Sequence, residues 1–190
     1  MSSPHTESGE RLTEEDRRSL LALARRAIEH GVREKKPWRP PEETTLSLLQ
    51  TRACFVSLHK RGQLRGCIGQ VTARLPLYQA VAEAAYSASR EDPRFPPVDA
   101  EELAQIDIEI SVLSPFTPIK LEDVQLGRHG LLVTRDRARG LFLPQVPELY
   151  GWDRRQYLDE LCRKAHLEPE AWKHGASLQA FTADVFGETA

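Results

Sequence analysis

Apolar residues recur along this chain with two spacings, and each spacing predicts its own element. Leu20, Leu21, Ala24, Ala27 and Ile28 fall on one helical stripe, with Arg17, Arg18, Arg25 and Arg26 off it. That predicts a helix from about Glu14 to His30, with Thr13 as N-cap and Asp16 completing a capping box. Gly31 is expected to end it in the left-handed conformation. A second stripe, Leu77, Val81, Ala84, Ala85 and Ala88, predicts a helix over Leu75–Arg90 with Pro76 in its first turn. Its alanines permit close packing. A third helix is expected from Asp153, an N-cap boxed by Gln156, to about Leu167, carried by Tyr157, Leu158, Leu161, Cys162 and Ala165.

The other spacing is strict alternation. Ile106, Ile108, Ile110 and Val112 alternate with Asp107, Glu109 and Ser111, which predicts a strand with one buried face. Ala53–Lys60 and Gln63–Gln70 read as a hairpin around Arg61-Gly62. A two-residue turn would pair Leu58 with Arg65 and mismatch the faces. A three-residue loop, Lys60–Gly62, pairs Leu58 with Leu64 and Phe55 with Cys67, with Gly62 at positive φ in a G1 bulge. This register puts Leu64 and Ile68 on one face with Cys54, and Arg65 and Cys67 on the other. Leu131–Arg135 and Gly140–Leu143 read as a further hairpin, and Leu178–Phe186 as a last strand of uncertain buried face.

Between these elements lie a Pro-rich, charged connection, Gly31–Thr45, and a stiff non-helical segment, Asp92–Pro97. Residues 1–12 read as a disordered tail and 13–190 as a single domain. Helices separated by hairpins, without regular βαβ alternation, indicate an α+β fold in which an antiparallel or mixed sheet packs with helices.

The 190 residues suffice for one domain with a real core, and 40% hydrophobic with 28% charged is ordinary for a globular protein. A net charge of −2 gives no compositional support to nucleic-acid binding. Three cysteines, Cys54, Cys67 and Cys162, lack Cys-x-x-Cys spacing, so neither a disulfide framework nor a zinc knuckle is expected, and reduced thiols in a cytoplasm are the simple reading. Cys54 and Cys67 should face opposite sides of their sheet. No signal peptide, membrane span, Ser-His-Asp signature, phosphate-cradling loop or His/Glu metal motif is visible. No metal site and no cofactor is expected.

The sharpest local feature is Leu64-Arg65-Gly66-Cys67-Ile68-Gly69. Glycines weaken a strand, so Gly66 and Gly69 imply close approach by a backbone or a ligand. A guanidinium near Cys67, here that of Arg65, would favour the nucleophilic thiolate. Against that stands the commoner role of a cysteine between glycines, a small packed residue. Asp92 and Arg94 suit an anionic or polar ligand, or a structural ion pair. Glu109 and Ser111 line a cleft or meet solvent, with solvent favoured. His129 is a candidate base or ligand, though a loop histidine is the plainer reading. Gln145 could bond a ligand or satisfy loop backbone.

The hexapeptide matches the hallmark of the AMMECR domain family, and the order of the surrounding motifs resembles that family over roughly Leu12–Gly187. Phe55-Val56-Ser57-Leu58 precedes it; Asp92–Pro97, Ile108–Leu113, His129-Gly130-Leu131, Leu143–Val146, Lys164-Ala165 with Leu167, and Trp172 follow. His166 stands where the family pattern has a glycine. The resemblance implies an α+β fold with a larger and a smaller lobe and the hexapeptide near the cleft between them. It also implies kinship with protein A of the AmmeMemoRadiSam set, with a Memo-like protein and a radical SAM protein as partners. Two functions follow as alternatives, and no reaction is settled between them. In one, the protein is an enzyme or enzyme subunit using Cys67 and Arg65 on an unknown small molecule, with His129 or Glu109 assisting proton transfer. In the other, it is a non-catalytic scaffold binding a partner around Arg65–Gly69. Gly66, Gly69, Asp92, Arg94, Glu109, His129 and Gln145 are the candidate binding residues in either case.

Overall fold

The first apolar stripe forms α1, Glu14–Glu34, in a computed structural model that describes residues 12–42 and 45–188. The expected tail lies outside the described residues except for Leu12, which is buried. Thr13 caps α1 as predicted: its side chain accepts from the Asp16 N–H, and Asp16 accepts in return from the Thr13 N–H. Burial works against ionisation of Asp16, but hydrogen bonds from Thr45, Ser47 and Thr13 outweigh it and hold the carboxyl below its usual range. Gly31 does not stop the helix, which runs on to a left-handed Lys35. Its job is packing, because a Cβ there would sit 2.6 Å from the Tyr86 ring.

The chain divides into two compact units, one running to Val112 and resuming at Asp184, the other spanning Leu113–Ala183. In the first, a short helix α2, Leu46–Leu49, precedes β1, Cys54–Lys60, and β2, Gln63–Gln70. Then come α3, Leu77–Arg90, and β3, Ile106–Leu113. The predicted C-terminal strand is in fact two. Thr182 separates β7, Ser177–Phe181, from β8, Ala183–Gly187, and the two belong to different sheets, which explains why no single buried face could be read. The first sheet has the order β2-β1-β3-β8. Its core face presents Cys54, Val56, Leu58, Ile108, Ile110 and Val112 to the stripes of α1 and α3.

The second unit is built on a sheet of order β4-β7-β5-β6, where β4 is Thr117–Pro118, β5 Gly130–Arg135 and β6 Ala138–Phe142. A one-turn helix α4, Val146–Leu149, leads to α5, Arg154–Lys164, capped by Asp153 and Gln156 as predicted. Tyr157, Leu158, Leu161 and Cys162 bury the stripe of α5 against Leu131, Val133 and Ala180. Helix α5 ends with Leu167 N–H on the Cys162 carbonyl and His166 N–H on that of Arg163, the paired bonds of a Schellman motif. His166 occupies the left-handed position of that motif at φ 57, which a glycine adopts without steric cost. The departure from the family pattern is therefore a strained cap on an otherwise standard helix end.

The hairpin of β1 and β2 corrects the expected register. Gly62 has positive φ as predicted, but so does Arg61, and the loop is a two-residue turn that pairs Lys60 with Gln63 and His59 with Leu64. A bulge then takes up Arg65, so that Leu58 pairs with Gly66 and Phe55 with Gly69 rather than with Cys67. The face mismatch that a simple two-residue turn would cause is absorbed by one extra residue instead of by a longer loop. Leu64 therefore leaves the core face and is exposed, while Ile68 keeps it, opposite Val56. Gly66 lands on the core face, where a Cβ would lie 2.3 Å from the Ala88 carbonyl oxygen of α3.

Two stability changes follow. Gly66→Ala pushes backbone against backbone and should lower the unfolding free energy by roughly 2 kcal/mol or more. His166→Gly, at an exposed position, should raise it by about 0.5–1 kcal/mol. Denaturant melts of the two variants and the parent check both signs.

Candidate functional site

Strand β2 lies at the edge of its sheet, so every second peptide group points outward without a strand partner. At Cys67 those groups are taken. The Cys67 N–H donates to Asp92 Oδ2 at 2.8 Å, and Arg94 Nη2 donates to the Cys67 carbonyl at 3.2 Å. Asp92 and Arg94 are themselves joined by hydrogen bonds of 2.7 and 3.0 Å. The carboxylate is almost fully buried, with only 2% of its side chain exposed, whereas Arg94 is exposed on its outer side. Hydrogen bonding to Arg94, helped by the Cys67 and Arg94 N–H groups and opposed by burial, holds the Asp92 carboxyl far below the usual range. Arg94 is correspondingly stabilised as a cation, chiefly by Asp92 and further by the Cys67 side chain. The Asp-Pro-Arg turn is thus a structural ion pair that seals a sheet edge, and its fixed point is the cysteine.

Arg65 does something else. As the bulged residue it donates from Nε and Nη2 to Glu102 at 3.0 and 2.8 Å and from Nη1 to the Pro96 carbonyl at 2.9 Å. Lys60 reaches the same carboxylate at 2.8 Å. Hydrogen bonds from Arg65 and Lys60, against desolvation, lower the Glu102 carboxyl to about 2. The guanidinium in electrostatic contact with Cys67 is that of Arg94, a pairing that the sequence did not single out.

The bulge decides which way the thiol points. A two-residue turn without it would set Cys67 opposite Val56 on the core face. With it, Cys67 lies opposite Ser57 on the open face, and Cys54 faces the core, as predicted. The Ser57 hydroxyl donates to Cys67 Sγ at 3.3 Å. Glu109 lies across from Ser57 on β3, so Cys67, Ser57 and Glu109 form one cross-strand row. In the next row His59 lies across from Asp107. Ser111 is buried, not solvent-facing. An open depression of about 400 Å³ adjoins these rows, lined by His59, Asp107, Glu109, Val185 and Phe186. Phe55 and the Cys54 carbonyl close over Gly69, with the Cβ position 2.4 Å from each. The backbone approach that the two motif glycines suggested is therefore made by the chain itself.

All three thiols are free. Cys54 and Cys162 are buried, and desolvation pushes the Cys54 thiol up to about 12 and the Cys162 thiol upward as well. Cys67 is half-buried. The remaining candidates belong to the second unit. His129 Nδ1 accepts from the Gln125 N–H at 3.2 Å, so that nitrogen is unprotonated, and burial with the neighbouring Arg128 charge lowers the imidazole pKa. Gln145 precedes α4 and makes no capping bond through its side chain. Among the described residues, no three His, Cys, Asp or Glu side chains gather as metal ligands do. No helix among them is long and apolar enough to cross a membrane.

The two compact units together make an α+β fold with an antiparallel sheet in each. The chain belongs to the AMMECR1 family, whose model matches residues 21–186. It is 42% identical to a protein of Methanothermobacter thermautotrophicus over 93% of this chain and 96% of the relative. A protein of Thermococcus kodakarensis is 40% identical over 89% of this chain and 88% of that one. The crystal structure of an uncharacterised protein from Pyrococcus horikoshii superposes with a TM-score of 0.83 at 39% identity, covering 90% of both chains. These relatives carry no functional name.

Asp92 and Glu102 both titrate below their unfolded values of ~3.9 and ~4.3. Each contributes stability that is present above about pH 5 and is lost as pH falls toward 2. Asp92→Asn and Glu102→Gln should be less stable than the parent at pH 7 and show a shallower loss of stability between pH 5 and pH 3. Urea midpoints measured across that range test the claim.

Proposed function

We propose that this AMMECR1-family protein is a cytoplasmic, cysteine-dependent enzyme or enzyme subunit, with Cys67 as the nucleophile acting on a small molecule. The observation that carries the reading is that Cys67 is the half-buried thiol whose own peptide group is held at both ends by the Asp92–Arg94 pair. A nucleophile must be held in a fixed position, and groups anchored on rigid strands achieve that better than loops do. Arg94 supplies positive charge beside the sulfur, and Glu109 stands one strand beyond Ser57 to exchange a proton. Arg65 keeps its Glu102 partner and shapes the bulge that aims the thiol. Gly66 and Gly69 allow the close packing that fixes the strand. His129 and Gln145, in the second unit, are assigned to binding a partner there. A Memo-like protein and a radical SAM protein are the proposed partners.

The second reading is a scaffold that binds a protein through the same open face. Leu64 and Val185 support it, each being 43% exposed.

Iodoacetamide labelling followed by mass spectrometry separates the two. Native Cys67 should react at pH 7 at least about tenfold faster than the same cysteine in the urea-unfolded chain, and Arg94→Ala should lose most of that advantage. A native rate at or below the unfolded one removes the covalent reading and leaves the scaffold. Pull-downs of purified Memo-like and radical SAM proteins with the parent, Cys67→Ala and Arg65→Ala proteins then test partner binding directly.

A further inference from the structure

We infer that His59 is the proton acceptor of the Cys67 thiol and that Asp107 orients its imidazole, so that the open face of the first sheet carries a Cys-His-Asp set beside the depression. The inference rests on the proposed covalent role of Cys67 and adds the group that takes the thiol proton, leaving Glu109 to exchange a proton with the substrate.

The argument begins with register. Cys67 is opposite Ser57, and His59 is the next residue of β1 on the same face. Such diagonal neighbours lie ~7–8 Å apart at their Cα atoms, a gap that an imidazole can span. Asp107 is directly opposite His59 on the far side, at the ~5 Å Cβ separation of cross-strand partners. A histidine set between a thiol and a carboxylate is the arrangement in which the carboxylate fixes the tautomer and the other ring nitrogen takes the proton. The bulge at Arg65 makes the arrangement possible, since it moves Cys67 from the core face to the face of His59. It also turns the Arg65 guanidinium to Glu102 and leaves an apolar residue, Leu64, opposite the imidazole.

The charged and titratable groups facing His59 are Asp107 and Glu109 from β3 and Cys67 from β2, while β8 contributes Val185. Among the described residues no hydrogen bond or ion pair joins His59 to Asp107 or to Cys67, and none engages Glu109, so the set is placed by strand register and closes by side-chain rotation. His59, Asp107 and Glu109 line the ≈ 400 Å³ depression, which gives a substrate a path to the same face. The Ser57 hydroxyl already donates to the sulfur, the contact that a thiolate would keep. Proton transfer leaves thiolate and imidazolium. With iodoacetamide the sulfur forms the new C–S bond, iodide departs, and the imidazolium returns its proton to water.

The test is the rate of iodoacetamide labelling at Cys67, followed from pH 5.5 to pH 10 in the full chain. His59→Gln should slow labelling at pH 6.5–7 by roughly tenfold or more and converge with the parent near pH 10, where a thiol ionises without help. Lost access or a disturbed fold would instead slow the reaction at every pH. Asp107→Asn, at an exposed position, should show a smaller slowing over the same pH range, and free imidazole should restore part of the rate to His59→Gly. A fast parent with His59→Gln and Asp107→Asn profiles superimposed on it overturns the role of His59 and leaves the Cys67 reading intact. A parent no faster than the unfolded chain overturns both. Should His59→Gln fail to fold, Asp107→Asn decides by the same comparison.

Discussion

An edge strand must find partners for the peptide groups that face away from its sheet, and in this protein that requirement organises the candidate site. At Cys67 the partner is Asp92, a carboxylate buried almost completely and held there by the guanidinium two residues later. A buried carboxylate without its cation and its N–H donors would be costly. Here it accepts from the Cys67 N–H, the Arg94 N–H and two nitrogens of the Arg94 guanidinium. The turn that follows α3 is thereby locked onto the middle of β2. The lock acts on the backbone of the one residue whose side chain offers distinctive chemistry.

The same strand shows how packing and aim are coupled. Gly66 lets the Ala88 carbonyl approach the core face, which draws α3 tightly against the sheet. One residue earlier the bulge at Arg65 reverses the alternation, and one residue later the thiol points to the open face. Without the bulge, Cys67 would be a third buried cysteine like Cys54 and Cys162. The ion cluster of Arg65, Lys60 and Glu102 then acts as the anchor of the bulge, keeping the extra residue's long side chain out of the rows that hold Cys67 and His59. Charged residues that look catalytic in the sequence thus divide into two structural jobs, sealing an edge and stabilising a bulge. The polar side chains left for chemistry are the uncommitted ones of β1 and β3.

What the sequence determined by itself is whatever depends on neighbours within a few residues. Both capping boxes, the three amphipathic stripes, the alternation of β3 and the hairpin limits are local, because helix caps and binary patterns are set by spacing alone. His166 stood out only through the family resemblance, whose pattern has a glycine there, and the left-handed helix cap supplies the reason. Tertiary structure decided the rest. Gly31 looks like a stop signal until the Tyr86 ring packs against it and lets the helix continue. Arg65 and Cys67 share a face in an unbroken strand, and only a bulge, which leaves no mark in the alternation until its partner strand is known, separates their roles. Arg94 comes to Cys67 from 27 residues away. Asp107 read as the polar side of an alternating strand and nothing marked His59, since nothing local says that β1 and β3 are neighbours in that register. Local spacing fixes which residues turn toward a core; pairing between distant segments fixes which of the others meet.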